Sequence, residues 1–202
     1  MNKAIMIADK PIWCSRIMNG DKLLEIRKNK ALYKATMKLI EEQGYATFFM
    51  YCSKGNKKNY HLIEVVDTDT GWEGYEYDYY IGSKGYLDWC LEGKVVAKFT
   101  VRKVEELRIK QGIGWATDTI KGTQEIEKLS CVNRFDLYQY CKGFAYAYHI
   151  EDLVIFDIPK ELSEFKRKYY PQYAGMSKNT IHYELEPITK APQNFCYVES
   201  EE

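Results

Sequence analysis

The stretch DKPIWCSRIMNGDKLLEIRK, residues 9–28, limits what this chain can build more than any other. Asp9 is placed to N-cap a short helix, and Pro11 suits a first turn, where backbone N–H groups have no helical partner. Ile12, Trp13 and Ile17 share one side of that helix, which predicts a buried face. Gly20 then permits a left-handed stop. Leu23 to Lys28 reads as a strand, with Leu24 and Ile26 facing one way and Leu23, Glu25 and Arg27 the other. The helix therefore delivers an ammonium, Lys22, to the mouth of a strand that carries a carboxylate and a guanidinium on one face.

Gly20-x-Lys22-x-x-Glu25-x-Arg27 also resembles the Gly-x-Lys-x-x-Glu-x-Arg signature of ASCH domains, small PUA-like β-barrels linked to RNA. Further blocks follow in the order of that family. YCSKG (51–55) is similar to its next strand, and GKVVAKFTVRKVEEL (93–107) to its central barrel strand. KGFAYAYHIEDLVIFDIPKELSEF (142–165) and APQNFCYVE (191–199) resemble the C-terminal part of ASCH proteins of bacteriophages and their Gram-positive hosts. The resemblance covers about half of the 202 residues and implies an α+β fold: a PUA-like mixed β-barrel with short flanking helices. One domain over 1–202 is expected, with a helical insertion at about 29–45 and an aromatic one at about 56–93.

By the same resemblance, Lys22, Glu25 and Arg27 line a cleft for RNA or a modified nucleotide. The side-chain chemistry agrees. Lysine is a compact cation for phosphate, arginine a planar fork for phosphate or a base edge, and glutamate an acceptor for a base amino group or an anchor for the lysine. Lys28, Trp13, Lys54 and His149 are added as nucleic-acid-binding candidates. Trp13 is either a base-stacking ring or core. Lys54 follows Ser53 at a strand end, and His149 is either an acid–base or a satisfied core histidine. Some small ASCH proteins hydrolyse acetylated cytidine with the signature lysine, a threonine three residues on and a distal glutamate. Here the threonine position is Glu25. A carboxylate beside Lys22 holds its ammonium charged and weakens it as a base. If the protein is an enzyme, Lys22 and Glu25 are the catalytic candidates, with Glu25 or Glu105/Glu106 activating a water, as a hydrolase of modified nucleosides or a ribonuclease.

Charge bounds the partners. Lys+Arg and Asp+Glu both number 29, which argues against a strongly basic, sequence-blind nucleic-acid coat but allows a local basic site. Gly20–Lys58 carries nine basic against four acidic residues, net +5. His61–Gly93 carries one against eight, net −7, and Lys94–Lys110 six against two, net +4. The acidic block holds Trp72, Tyr75, Tyr77, Tyr79 and Tyr80 in near period-2 alternation. It reads as a strand with an aromatic face that repels phosphate and suits a protein partner through 67–86, or as a hairpin covering one end of the barrel.

The six cysteines are scattered without a C-x-x-C pair, so zinc is not expected, and no cofactor is implied. There is no Walker-type phosphate loop. No signal peptide or membrane span is evident, and a reducing cytoplasm is the expected setting. Elsewhere the patterns predict a strand at 3–8, a helix at 32–43 ending on Gly44, a strand at 46–53 with 59–66 as its hairpin partner, and a strand at 95–101 with Val95, Ala97, Phe99 and Val101 on one face. Asn133 is a cap for a helix over 134–141, and 145–158 reads as one or two strands bent near Glu151–Asp152.

Overall fold

The structure, a computed structural model, describes residues 2–54, 60–67, 72–79, 91–169 and 183–200. The elements run β1 (Asn2–Asp9), α1 (Pro11–Met18), β2 (Leu24–Arg27), α2 (Lys30–Gln43), β3 (Ala46–Cys52), β4 (Tyr60–Asp67), β5 (Trp72–Tyr79), β6 (Lys94–Val101), β7 (Val104–Lys110) and β8 (Gly114–Ala116). They continue with α3 (Thr123–Ser130), α4 (Arg134–Cys141), β9 (Phe144–His149), β10 (Glu151–Glu161), β11 (Lys166–Tyr169), β12 (Glu184–Pro187) and β13 (Phe195–Ser200).

The fold is α+β, as expected, but its strands form separate sheets and not one closed barrel. A seven-stranded sheet has the order β10-β6-β3-β1-β13-β11-β12, and a four-stranded sheet the order β2-β9-β7-β8. Among the described residues of the larger sheet, only β1 and β3 pair in parallel. Central β1 is covered on both sides, which is why it reads as an unbroken apolar run rather than an alternation. Ile5 and Ile7 enter one core, Ala4 and Met6 another.

Two segments cross from sheet to sheet almost without interruption, β6 into β7 and β9 into β10. Asp152, at φ 47, makes the second corner, and Arg102 ties it with bonds of 2.7 Å to Glu151 and 2.6 Å to Asp152. The predicted bend at Glu151–Asp152 is thus the point where the chain changes sheet. The main core lies between the sheets and under α1 and α2, built from Ile5, Ile7, Phe48, Met50, Phe99, Tyr146 and Tyr148 with Ile17 and Leu39. A second core, Leu24, Ile26, Leu107, Trp115, Ile126, Leu137 and Ala147, fills the space between the small sheet and α3 and α4.

Several local expectations change. The helix predicted at 32–43 starts at Lys30, because Asn29 accepts from the N–H groups of Ala31 and Leu32; Gly44 closes it at φ 84. Segment 60–67 does not pair with β3, whose edges are taken by β1 and β6; it pairs with β5. That hairpin lies against α1. Residues 68–71 and 80–90, and so most of the proposed protein-binding segment, lie outside the described residues, as do 170–182. A register shift in β6 between its partners Met50 and Tyr51 turns Val95 to the opposite core from Phe99 and Val101, so the expected single apolar face is broken there. The helix α3 had no sequence expectation.

Candidate functional site

Asp9 closes β1, and Glu25 and Arg27 project from β2 toward it across the gap between the sheets. Asp9 does not cap α1. Lys10 occupies the N-cap position without a side-chain bond, and the Asp9 carboxylate is taken by Arg27 instead. Arg27 Nη2 donates to Asp9 Oδ1 and, at 3.2 Å, to the Ala8 carbonyl, while Nε stands 2.6 Å from Glu25 Oε1. Glu25 Oε2 lies 3.3 Å from Lys22 Nζ. The four side chains form a line of alternating charge, Lys22–Glu25–Arg27–Asp9, with zero sum.

Lys22 is only 3% exposed. Its ammonium donates to the Leu24 carbonyl at 2.7 Å and to the Ser130 carbonyl, at the end of α3, at 2.9 Å. With Glu25 as third partner, all three of its protons are engaged. The expected phosphate grip is corrected accordingly: Lys22 is an internal cross-link, with the Trp13 ring 5.3 Å from its Nζ. The catalytic pairing of Lys22 and Glu25 meets the same obstacle, because neither has a free proton or a free oxygen. Glu25 is pushed up by burial, but Lys22 and Arg27 outweigh that and hold it below the ordinary carboxylate range.

Asp9 differs. Burial outweighs the pull of Arg27 and lifts its carboxyl to about 6. Its Oδ2 is buried with no hydrogen-bond partner. The Asp9 carbonyl is well served, accepting from the N–H and the hydroxyl of Ser53, both at 2.7 Å.

Above this line opens a cavity of about 600 Å³, within the usual range for small-molecule sites. Lys22, Glu25, Arg27 and Asp9 form its floor. Trp13 from α1 and Tyr140 from α4 supply rings, Ile26 and Leu137 apolar wall, and Ala191–Gln193 the far rim. Lys28 reaches the outer side of the same wall: its Nζ stands 4.6 Å from the Tyr140 ring, beside a smaller hollow that shares Arg27 and Tyr140. Ser53 also lines the cavity.

Not every expected site residue belongs here. Lys54 does not line the cavity; its aliphatic chain packs over Gly93. His149 is turned to the other face of β9, where its Nε2 lies 2.6 Å from Glu105 Oε1. Glu105 also accepts from the N–H and hydroxyl of Thr119 and pairs with Lys103. Glu106 pairs with Arg108. Neither glutamate reaches the cavity, so the water-activating alternative through them is not available there. Sequence reasoning missed Asp9 as a site residue and Tyr140 altogether. The Asp9 signal was present in its position at the end of an apolar strand, where a carboxylate needs a cation.

Among the described residues, no three His, Cys, Asp or Glu side chains cluster so as to hold a metal ion. No helix among them is long and apolar enough to cross a membrane. No family model and no curated protein matches the chain.

Proposed function

We propose that this cavity is a nucleotide site, and that the protein is an ASCH-like, PUA-like domain that binds RNA or a modified nucleotide by its base. One observation carries the reading: the signature side chains Lys22, Glu25 and Arg27 converge on a single open cavity that is flanked by two aromatic rings. A planar ligand can stack against Trp13 or Tyr140 while its polar edge meets the charged floor, an arrangement suited to a heterocycle. Because the floor sums to zero charge and Lys22 is internally bound, affinity rests on the base; phosphate contact falls to Lys10, which lines the cavity, and to Lys28 on the outer side of the Tyr140 wall. The resemblance of 51–55, 93–107, 142–165 and 191–199 to ASCH blocks supports the same reading.

The test is titration of the protein with a panel of nucleoside 5′-monophosphates and short single-stranded RNAs, followed by tryptophan fluorescence and calorimetry. Tyr140→Ala removes an exposed ring at the cavity wall and is expected to weaken binding by roughly 5- to 150-fold, the value of about 1–3 kcal/mol for one stacked base. Phe135→Ala, on the same helix but outside the cavity lining, is the control and leaves affinity unchanged. Absence of binding by every ligand, or equal losses in both variants, overturns the reading.

A further inference from the structure

Tyr140 and Arg27 line two spaces, the cavity above the charged floor and an adjoining hollow of about 370 Å³ completed by Lys28, Asn29, Leu32 and Asn194. Among the described residues the two differ in charge. Lys10, Lys22 and Arg27 stand against Asp9, Glu25 and Asp136 around the cavity, a zero sum. The hollow is bounded by two cations and no carboxylate. They differ in polarity as well: the cavity has Trp13, Ile26, Val132 and Leu137, whereas the hollow has one aliphatic residue, Leu32, beside two carboxamides. Arg27 spends its charge on Asp9 and Glu25. Lys28 does not. It is exposed, no carboxylate among the described residues pairs with it, and its Nζ lies over the Tyr140 ring, 4.6 Å from the centroid.

We propose that the hollow is a second subsite, which takes the sugar and phosphate of a neighbouring nucleotide, so that the ligand is a single-stranded oligonucleotide and not a free nucleotide. This rests on the nucleotide reading above and deepens it. The neutral, aromatic cavity suits a base, and the positive, amide-lined hollow suits the chain that carries it. With the Lys28 ammonium over one face of Tyr140, a base stacks on the other face, and the phosphate that follows it meets Lys28 past the edge of the ring. Lysine serves phosphate as a compact charge on a flexible stem, and an exposed cation–π contact is weak enough to yield to it. The hollow is also too large for a phosphate alone: its volume falls by itself within the range of small-molecule sites, which leaves room for a sugar. Asn29 spends its side-chain oxygen on the N–H groups of Ala31 and Leu32 and keeps an amide nitrogen, a donor, for that sugar or its phosphate.

The probes, for each base, are the nucleoside, its 3′- and 5′-monophosphates and its dinucleoside monophosphate, titrated by calorimetry. For at least one base, wild-type protein is expected to bind the dinucleoside monophosphate about tenfold or more tightly than the nucleoside, the scale of one charge-assisted contact, and more tightly than either monophosphate. In Lys28→Gln the ratio of dinucleoside to nucleoside affinity falls by about fivefold. Asn194→Asp sets a carboxylate at the hollow and lowers the same ratio. Lys34→Gln, which alters an exposed lysine of α2 that lines neither space, keeps the wild-type ratio. A wild-type ratio near one overturns the second subsite. Dinucleoside binding no tighter than that of a monophosphate overturns the strand assignment, and equal losses in Lys28→Gln and Lys34→Gln overturn the role of Lys28. Should a variant not fold, by circular dichroism, the wild-type comparisons alone decide. Failure of every one of these ligands and of the nucleotide panel to bind is a different result and sinks the nucleotide reading itself.

Discussion

Replacing Asp9 by asparagine removes one ionisable group from the interior while retaining an oxygen for Arg27. In the folded protein burial lifts the Asp9 carboxyl to about 6, against an ordinary value of 3.8. The folded state therefore binds this proton more tightly than the unfolded chain. Its contribution is fully present below pH 3.8, declines as the unfolded chain releases the proton, and is gone above about pH 6. The whole interval corresponds to about 3 kcal/mol, and between about pH 4.5 and about pH 7.5 roughly 2 kcal/mol of it is lost. Asparagine has no such dependence. Urea unfolding of both proteins at those two pH values should show the variant gaining on the wild type by roughly 2 kcal/mol as pH rises. Glu25, held low, acts in the opposite sense in both proteins and largely cancels from the difference. A pH-independent difference, or a variant that loses ground at the higher pH, refutes the claim that Asp9 sits in a site where ionisation is unfavourable.

Lys22→Met strands the Leu24 and Ser130 carbonyls and part of Glu25, and is expected to destabilise the fold by about 3–5 kcal/mol in urea unfolding; a loss below about 1 kcal/mol contradicts its role as an internal cross-link. Asn133→Ala removes the acceptor for the Asp136 N–H at the start of α4 and should cost about 1 kcal/mol, read as a drop in melting temperature. Glu105 is pushed up by burial but held down to about 2 by hydrogen bonds from Lys103, Thr119 and His149. Its stabilisation is present above the ordinary value of 4.5 and lost as pH falls toward 2, so Glu105→Gln should flatten the acid side of the stability profile, and an unchanged profile counts against this network.

Much of the frame was legible because local signals agreed with tertiary demand. Gly44 closes α2, Asn133 caps α4, and the alternation of 24–27 places Leu24 and Ile26 in one core with Glu25 and Arg27 facing the other way. The pairing of strands was less legible. Nothing in 60–67 distinguishes β5 from β3 as partner, since period-2 alternation defines a face and not a neighbour. The seam between sheets was hidden for the same reason: Asp9 and Arg27 are 18 residues apart and meet only once β1 and β2 belong to different sheets. Hence the charges of 22–27 are readable as a local cluster, while Asp9, expected as a helix cap, instead pairs with Arg27. Lys54 and His149 were proposed from position along the chain, and position could not reveal that one packs over Gly93 and the other on the far side of β9.

The clasp from Arg27 to Asp9 joins the two sheets as well as flooring the cavity, and this dual duty restricts how the site could diversify. Any single replacement among the four charges leaves an interior ion without its complement, so the floor resists piecemeal change. The rim is under no such constraint: Tyr140 and Gln193 are exposed and belong to an outer helix and a connecting loop. A descendant lineage with altered ligand preference is expected to carry its changes there, with the basement intact.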